Sequence, residues 1–318
     1  MKILITGGAG FIGSHLSESL VGDGEDVVVL DDLSTGRIEN LGAVINHERF
    51  EFIEGSACDK SLVDGLVGRC DVVYHLAAAV GVQLIVDRPV HTIQTNIHGT
   101  ECVLEAADRH KKKVLIASTS EVYGKSEKVP FREDDDTVLG STRFSRWSYA
   151  CSKAIDEFLG FAYHSERGVN VVIARLFNTI GPRQVGSYGM VVPRFVGWAL
   201  RGEDIMIYGD GNQTRCFCCV VDVVRALRGL MSSDNTAGQV FNIGSNEEIS
   251  IRGLAEKVVS MTGSSSRIKL ISYEEAYGKA FDDMLRRVPS LERIEGAIGY
   301  KPSMDLTQTL EMIVNSSK

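Results

Sequence analysis

What the sequence lacks narrows the field first. No segment approaches the roughly 18 consecutive apolar residues of a membrane span. In the opening MKILITGG only Ile3, Leu4 and Ile5 form an apolar run, too short for a secretory leader. Surplus positive charge is missing as well. With 34 Lys and Arg against 42 Asp and Glu, the net charge of −8 excludes a general nucleic-acid or anionic-membrane surface. An anionic small molecule would have to be held by a few local arginines or lysines. Internal repeats and low-complexity runs are absent, and the acid run Asp134, Asp135, Asp136 reads as a solvated loop. Seven cysteines, an odd number scattered along the chain, do not form a disulfide framework. CFCC at 216–219 lacks zinc-finger spacing, so buried, reduced cysteines on a strand are expected there and no metal site. A reducing cytosol is the expected compartment.

What is present is a rhythm. KILIT is followed by a helical pattern from about Ile12 to Gly22, then DVVVLDD, FEFIEG, a polar helix and DVVYHLAA. A long helical stretch over 92–109 leads to KVLIAST, another helix around 149–165, and NVVIARLFN. Short apolar strands alternating with helices predict an α/β fold, a doubly wound parallel sheet of Rossmann type with helices on both faces. After Asn178 the rhythm changes to a cluster of Gly, Pro and Arg and then shorter elements. The expected division is 1–178 for the dinucleotide-binding domain, with parts of 216–243 returning to it, and 179–318 mostly for a smaller α/β substrate domain.

ITGGAGFIGSHL carries Gly7, Gly10 and Gly13 directly after the first strand and at the opening of an apolar helix. That context lets a tight turn bring the backbone close to a pyrophosphate at a helix N-terminus. Asp31 ends the second strand 18 residues after Gly13, placed to bind a ribose 2′-hydroxyl and to repel a 2′-phosphate. NAD is therefore expected rather than NADP. In RWSYACSKAIDEF, Tyr149 and Lys153 stand four apart on one helical face. A neighbouring ammonium favours the phenolate, and such a Tyr can take a proton from a substrate hydroxyl while hydride leaves for the nicotinamide.

Together with HLAA at 75–78, N-x-x-GT at 96–100, STSEVYG, RLFNTIGPR and YGDGNQTR, these motifs make the chain resemble the extended short-chain dehydrogenases/reductases, the nucleotide-sugar epimerases, dehydratases and decarboxylases. The resemblance spans nearly the whole chain. It implies that Phe11, Ile12, Leu76, Ala77, Ala78 and Asn96 join the glycines, Asp31, Tyr149 and Lys153 around NAD, and that Thr119 supports catalysis. It also implies that Asn178 and Arg215 hold a sugar diphosphate and Tyr208 the nucleotide end of a UDP-sugar. Ser56 departs from the pattern, because relatives often carry an Asp there that contacts adenine.

All these enzymes are similar in forming a 4-keto sugar, and Ser120 and Glu121 bear on its fate. Dehydratases resemble T-D-E where this chain reads Thr119, Ser120, Glu121; UDP-glucuronate decarboxylases resemble T-S-E. A serine protonates a departing hydroxyl poorly but hydrogen-bonds a carboxylate or ketone well. Glu121 could then manage protons at C5, or be a structural acid bonded to nearby backbone. Arg287, in LRRVPS, matches an Arg of the decarboxylases and could grip a uronate carboxylate bidentately; a diphosphate contact or a surface ion pair are its other readings. The stretch 77–89 instead resembles the 4-epimerases. UDP-glucuronate decarboxylation is thus the leading expectation, with a 4-epimerase second and a non-catalytic NAD-sensing protein third. A homodimer is expected through 92–109 and 149–165, where Cys102, Val103, Ala106, Phe158, Leu159 and Ala162 face either a partner or the protein's own sheet.

Overall fold

The computed structural model describes residues 1–81, 87–186, 190–272, 274–275, 284 and 286–317. Residues 82–86, on which much of the epimerase-like stretch falls, and 187–189 of the Gly/Pro/Arg cluster lie outside the described residues.

Six strands, β1 (Lys2–Thr6), β2 (Asp26–Asp31), β3 (Phe50–Glu54), β4 (Val72–His75), β5 (Lys113–Thr119) and β6 (Val171–Leu176), build the core of the fold. With the late strand Gln239–Ile243 they form one seven-stranded parallel sheet. From one edge the order runs Gln239–Ile243, β6, β5, β4, β1, β2, β3. Unbroken apolar runs suit strands buried on both faces. Ile3 and Ile5 point into one cluster, beneath the helices Phe11–Gly22 and Val220–Ser232. Leu4 points into the other, beneath Lys60–Gly68 and Pro89–His110. The order reverses between β1 and β4, and a crevice opens at their carboxyl ends, where ligands bind in open α/β sheets.

A smaller assembly follows β6. Its paired strands are Ile205–Tyr208 with Ile268–Ile271, and Thr214–Cys216 with Glu248–Ser250. They pack with the helices Val191–Arg201, Ile251–Thr262 and Leu306–Ser316 around Phe195, Leu254 and Leu310. Residues 220–243 return to the large sheet as a helix and its edge strand. All seven cysteines are free, and burial pushes the Cys216 and Cys218 thiols up to about 12. Among the described residues no helix is long and apolar enough to cross a membrane.

For three of the anticipated dimer positions the sheet-facing reading holds. Cys102, Val103 and Ala106 are buried in the protein's own core, because their helical stripe covers the sheet. On the outer faces of the same helix pair, Val90, Ile93, Ile155 and Phe158 are exposed, Phe158 by 75%.

Candidate active site

The crevice continues into the smaller assembly as one cleft of about 570 Å³. Its floor follows from the glycines. Gly7 has a φ of +74°, and a Cβ there would stand 2.6 Å from the Ala77 amide nitrogen. A Cβ on Gly13 would stand 2.2 Å from the Gly7 carbonyl oxygen. Only glycine permits this close packing of the first loop on the Leu76–Ala78 turn after β4. Gly10, the N-cap of the helix Phe11–Gly22, has no side chain to cap the first amides, which stay available to an anion. The cradle therefore fits a dinucleotide pyrophosphate. Phe11, Ile12, Leu76, Ala77 and Ala78 line it.

Asp31 closes the loop. Its carboxylate accepts from the Ala9 and Leu33 amides, each at 2.9 Å. Burial pushes its pKa up while these bonds pull it down. Ser56 also lines the cleft, beside Asp32 and Ala57, and its hydroxyl accepts from the Cys58 amide at 3.2 Å.

Asn96 differs from expectation. It is 1% exposed and stands behind the wall: its oxygen accepts from the Ala79 amide at 2.8 Å and its nitrogen donates to Ser152 Oγ at 3.2 Å. It ties the turn after β4 to the helix Arg146–Arg167 rather than lining the cleft. Beside it, His75 is sandwiched between the Thr6 and Thr100 hydroxyls at 2.7 and 3.2 Å, and burial lowers its pKa to about 3.

The chemistry lies one strand further on. β5 delivers Thr119, whose hydroxyl accepts from the Glu121 amide at 3.2 Å and so starts the short turn Ser120–Tyr123. The same hydroxyl faces the Tyr149 phenol and favours its ionised form. Tyr149 and Lys153 reach the cleft from Arg146–Arg167, at 7% and 2% exposure. Burial pushes the Tyr149 pKa up, the Glu121 and Asp156 carboxylates push it further, and Thr119 and Arg287 act the other way. The Lys153 ammonium donates to Asp156 Oδ2 at 2.9 Å, so its charge has a carboxylate at hand.

Arg287 joins the segment that sequence separates most widely. Its guanidinium nitrogens lie 3.5 Å from Glu121 Oε1, 3.4 Å from Ser120 Oγ and 3.5 Å from Asn178 Oδ1. The segment is fixed by neighbours on both sides. Phe131 donates to the Val288 carbonyl at 2.8 Å, and Ser290 donates to that of Phe131 at 2.8 Å. Asn242 then donates to the Phe131 and Ser290 carbonyls at 3.0 and 3.3 Å while accepting from Tyr123 Oη at 2.7 Å.

Across the cleft, Tyr208 and Arg215 line the wall of the smaller assembly. Arg194, which no motif singled out, stacks between the Trp198 and Tyr208 rings at 4.7 Å from each and bonds the Tyr208 hydroxyl. Its VVPRF context is an ordinary amphipathic helix; only the fold turns it to the cleft. With Arg37, Arg88, Arg183, Arg215 and Arg287 it gives an acidic chain a locally cationic pocket.

A doubly wound sheet with a glycine cradle and a buried Tyr-x-x-x-Lys pair at its switch point defines a short-chain dehydrogenase/reductase of the extended kind. Residues 4–313 match the GDP-mannose 4,6 dehydratase family model, and the chain belongs to that family. It is 41% identical over 311 residues to a UDP-N-acetyl-alpha-D-glucosaminuronate decarboxylase of Bacillus cytotoxicus, covering 98% of this chain and 95% of the relative. It is 38% identical to UDP-glucuronic acid decarboxylase 1 of Xenopus tropicalis, over 99% of this chain and 71% of the relative. Among solved structures, the UDP-glucose 4-epimerase of Thermotoga maritima with UDP-glucose superposes with a TM-score of 0.90 at 30% identity, covering 100% of this chain and 98% of that one. A dTDP-glucose 4,6-dehydratase of Streptomyces venezuelae, solved with NAD, gives 0.90 at 29% identity over 99% and 96%.

Proposed function

We propose that this protein is an NAD-dependent decarboxylase of a UDP-hexuronate, UDP-glucuronate first and its 2-acetamido counterpart second. The observation that carries the reading is the single guanidinium, Arg287, facing Ser120, Glu121 and Asn178 at the catalytic end of the cleft. A neutral hexose has no group that calls for a buried cation there, whereas a uronate carboxylate does. The first two relatives named above carry decarboxylase names, which supports the same class.

In this reading Gly7, Gly10, Gly13, Phe11, Ile12, Asp31, Leu76, Ala77 and Ala78 hold the dinucleotide, Lys153 orients its nicotinamide ribose, and Asn96 keeps the wall in place. Bound NAD would supply hydride-acceptor and hydride-donor chemistry at sugar C4. Tyr149 takes the C4 hydroxyl proton, assisted by Thr119. The carboxylate on C5 is then β to a ketone. Its C–C bond breaks, CO₂ leaves, and the electron pair passes to the C4 oxygen, where the Tyr149 phenol donates to the enolate. Glu121, as its acid form or through water, delivers the proton to C5, and Ser120 holds the carboxylate or ketone oxygen. Arg215 and Asn178 hold the diphosphate and Tyr208, stacked on Arg194, the nucleotide end.

The 4-epimerase reading is retained because the stretch 77–89 resembles those enzymes and solved structures at 30% identity carry that name. We also place the division of the chain near residue 178, with 220–243 restored to the first part. A homodimer through Val90, Ile93, Ile155 and Phe158 suits this exposed apolar strip, and a cytosolic location suits seven free cysteines. The test is incubation of the purified protein with UDP-glucuronate, its 2-acetamido counterpart and UDP-glucose. A UDP-pentose from either uronate and no change in UDP-glucose supports decarboxylation; inverted C4 with unchanged mass supports epimerisation.

A further inference from the structure

One buried charge near the site is not used by the mechanism above. Asp156 lies on the same helix as Tyr149 and Lys153, is 0% exposed, and accepts from Lys153 Nζ at 2.9 Å. The spacing explains the contact, since residues three apart share a helix face. We propose that Asp156 is the fixed counter-ion of Lys153, a positioning residue that anchors the ammonium and withholds part of its charge from Tyr149.

The surroundings leave few other groups to share this task. Besides Asp156 itself, which acts directly on the phenol, Tyr149 faces Glu121 from the turn after β5, Arg287 from the segment 286–290, and the Thr119 hydroxyl. Facing Lys153 from β4 is His75, which burial keeps uncharged above about pH 3. Facing Asp156 are the Thr100 hydroxyl from Pro89–His110 and its helix neighbour Glu157. Glu157 is itself held by Arg175, at 2.7 Å, and by Ser118 Oγ, at 2.5 Å, so it is committed elsewhere. A lone buried ammonium would strongly favour an adjacent phenolate. The same ammonium clamped to a buried carboxylate is nearly neutral at a distance and favours it much less. Asp156 thus keeps the phenol protonated at neutral pH, ready to donate to an enolate, at the cost of a slower proton abstraction.

The inference rests on reading Tyr149 as the proton-transfer group, but its primary test does not. The Tyr149 phenol is titrated by ultraviolet difference absorbance, with Tyr149→Phe protein as the background. Asp156→Asn, which keeps the shape and removes the charge, lowers the midpoint by about one pH unit. Asp156→Glu keeps it near the wild-type value. The acid limb of kcat for Asp156→Asn moves down by the same amount; a moved midpoint with an unmoved limb keeps the counter-ion and removes Tyr149 from the rate-determining proton transfer. An unmoved midpoint in folded Asp156→Asn overturns the inference. Should that variant not fold, Lys153→Met/Asp156→Leu, with no buried charge, decides. Its midpoint stays within about half a unit of wild type if the two charges cancel at Tyr149 and rises by a unit or more if Lys153 acts alone.

Discussion

Arg287 Nη2 stands 3.5 Å from Glu121 Oε1, although 166 positions separate the two residues in sequence. In the proposed reading the arginine is at once a cation for a ligand carboxylate and the partner of the group that would manage protons at C5. A uronate carboxylate entering this site competes with Glu121 for the same guanidinium.

Removing the cation discriminates between substrates. Arg287→Ala should weaken UDP-glucuronate ten- to hundredfold, the worth of about 1.5–3 kcal/mol for a charged hydrogen bond. UDP-glucose should bind nearly as before. Calorimetric titration of both ligands checks this, and equal losses for the two identify a diphosphate contact instead.

Removing the competitor acts oppositely on binding and turnover. Glu121→Gln deletes a negative charge beside Arg287, so UDP-glucuronate should bind at least as tightly as to the wild type. Turnover should fall by about 10²-fold or more, with nicotinamide absorbance at 340 nm building up before product forms. Weaker binding with no absorbance transient would assign Glu121 to structure.

Tyr149→Phe should lower kcat by about 10²- to 10⁴-fold while NAD affinity is unchanged. In the wild type, burial and then Glu121 push the phenol up, so the phenolate fraction grows as pH rises. The step limited by proton abstraction should therefore speed up steadily from neutral toward alkaline pH, and a pH–rate profile reads it.

The approximate extents of the elements, and the grouping of several residues that line the cleft, were legible in the sequence for a physical reason. Gly7, Gly10, Gly13, Asp31, Thr119, Tyr149 and Lys153 all sit within a few residues of a strand end or on one helix face, so spacing alone brings them together. Arg287 was legible only as a resemblance, because nothing local says that Phe131 and Asn242 hold its segment against β5's end. Arg194 and Asp156 were not legible at all. An arginine on an amphipathic helix and an acid three residues after a lysine read as solvated; only tertiary packing turns Arg194 to the cleft and buries Asp156. At Asn96 the motif marks the position but not which way the amide points, which is toward Ala79 and Ser152.

Acid should unfold the protein through His75. Its pKa drops from 6.5 to about 3 in the folded state, while the unfolded chain binds a proton below 6.5. Stability is therefore complete above pH 6.5 and is lost progressively as pH falls toward 3, at up to about 1.4 kcal/mol per pH unit. Urea unfolding at pH 7 and pH 5 should show a smaller difference in His75→Asn than in the wild type.

Asn242→Ala should loosen the clamp on residues 286–290 without touching the cofactor cradle. It strands Tyr123 Oη and the Ser290 carbonyl, a cost of about 1–3 kcal/mol for each buried group left unpaired, while the Phe131 carbonyl keeps the Ser290 amide. The melting temperature should fall, and UDP-glucuronate affinity should drop more than that for NAD.

The central claim is that the sugar carboxylate is the group that leaves. Its most direct test is UDP-glucuronate carrying ¹³C at the carboxylate, incubated with the purified protein and followed by ¹³C NMR. The label should move to bicarbonate in step with the appearance of an unlabelled UDP-pentose or UDP-4-keto-pentose. A label that stays in the nucleotide sugar while C4 inverts would contradict the account.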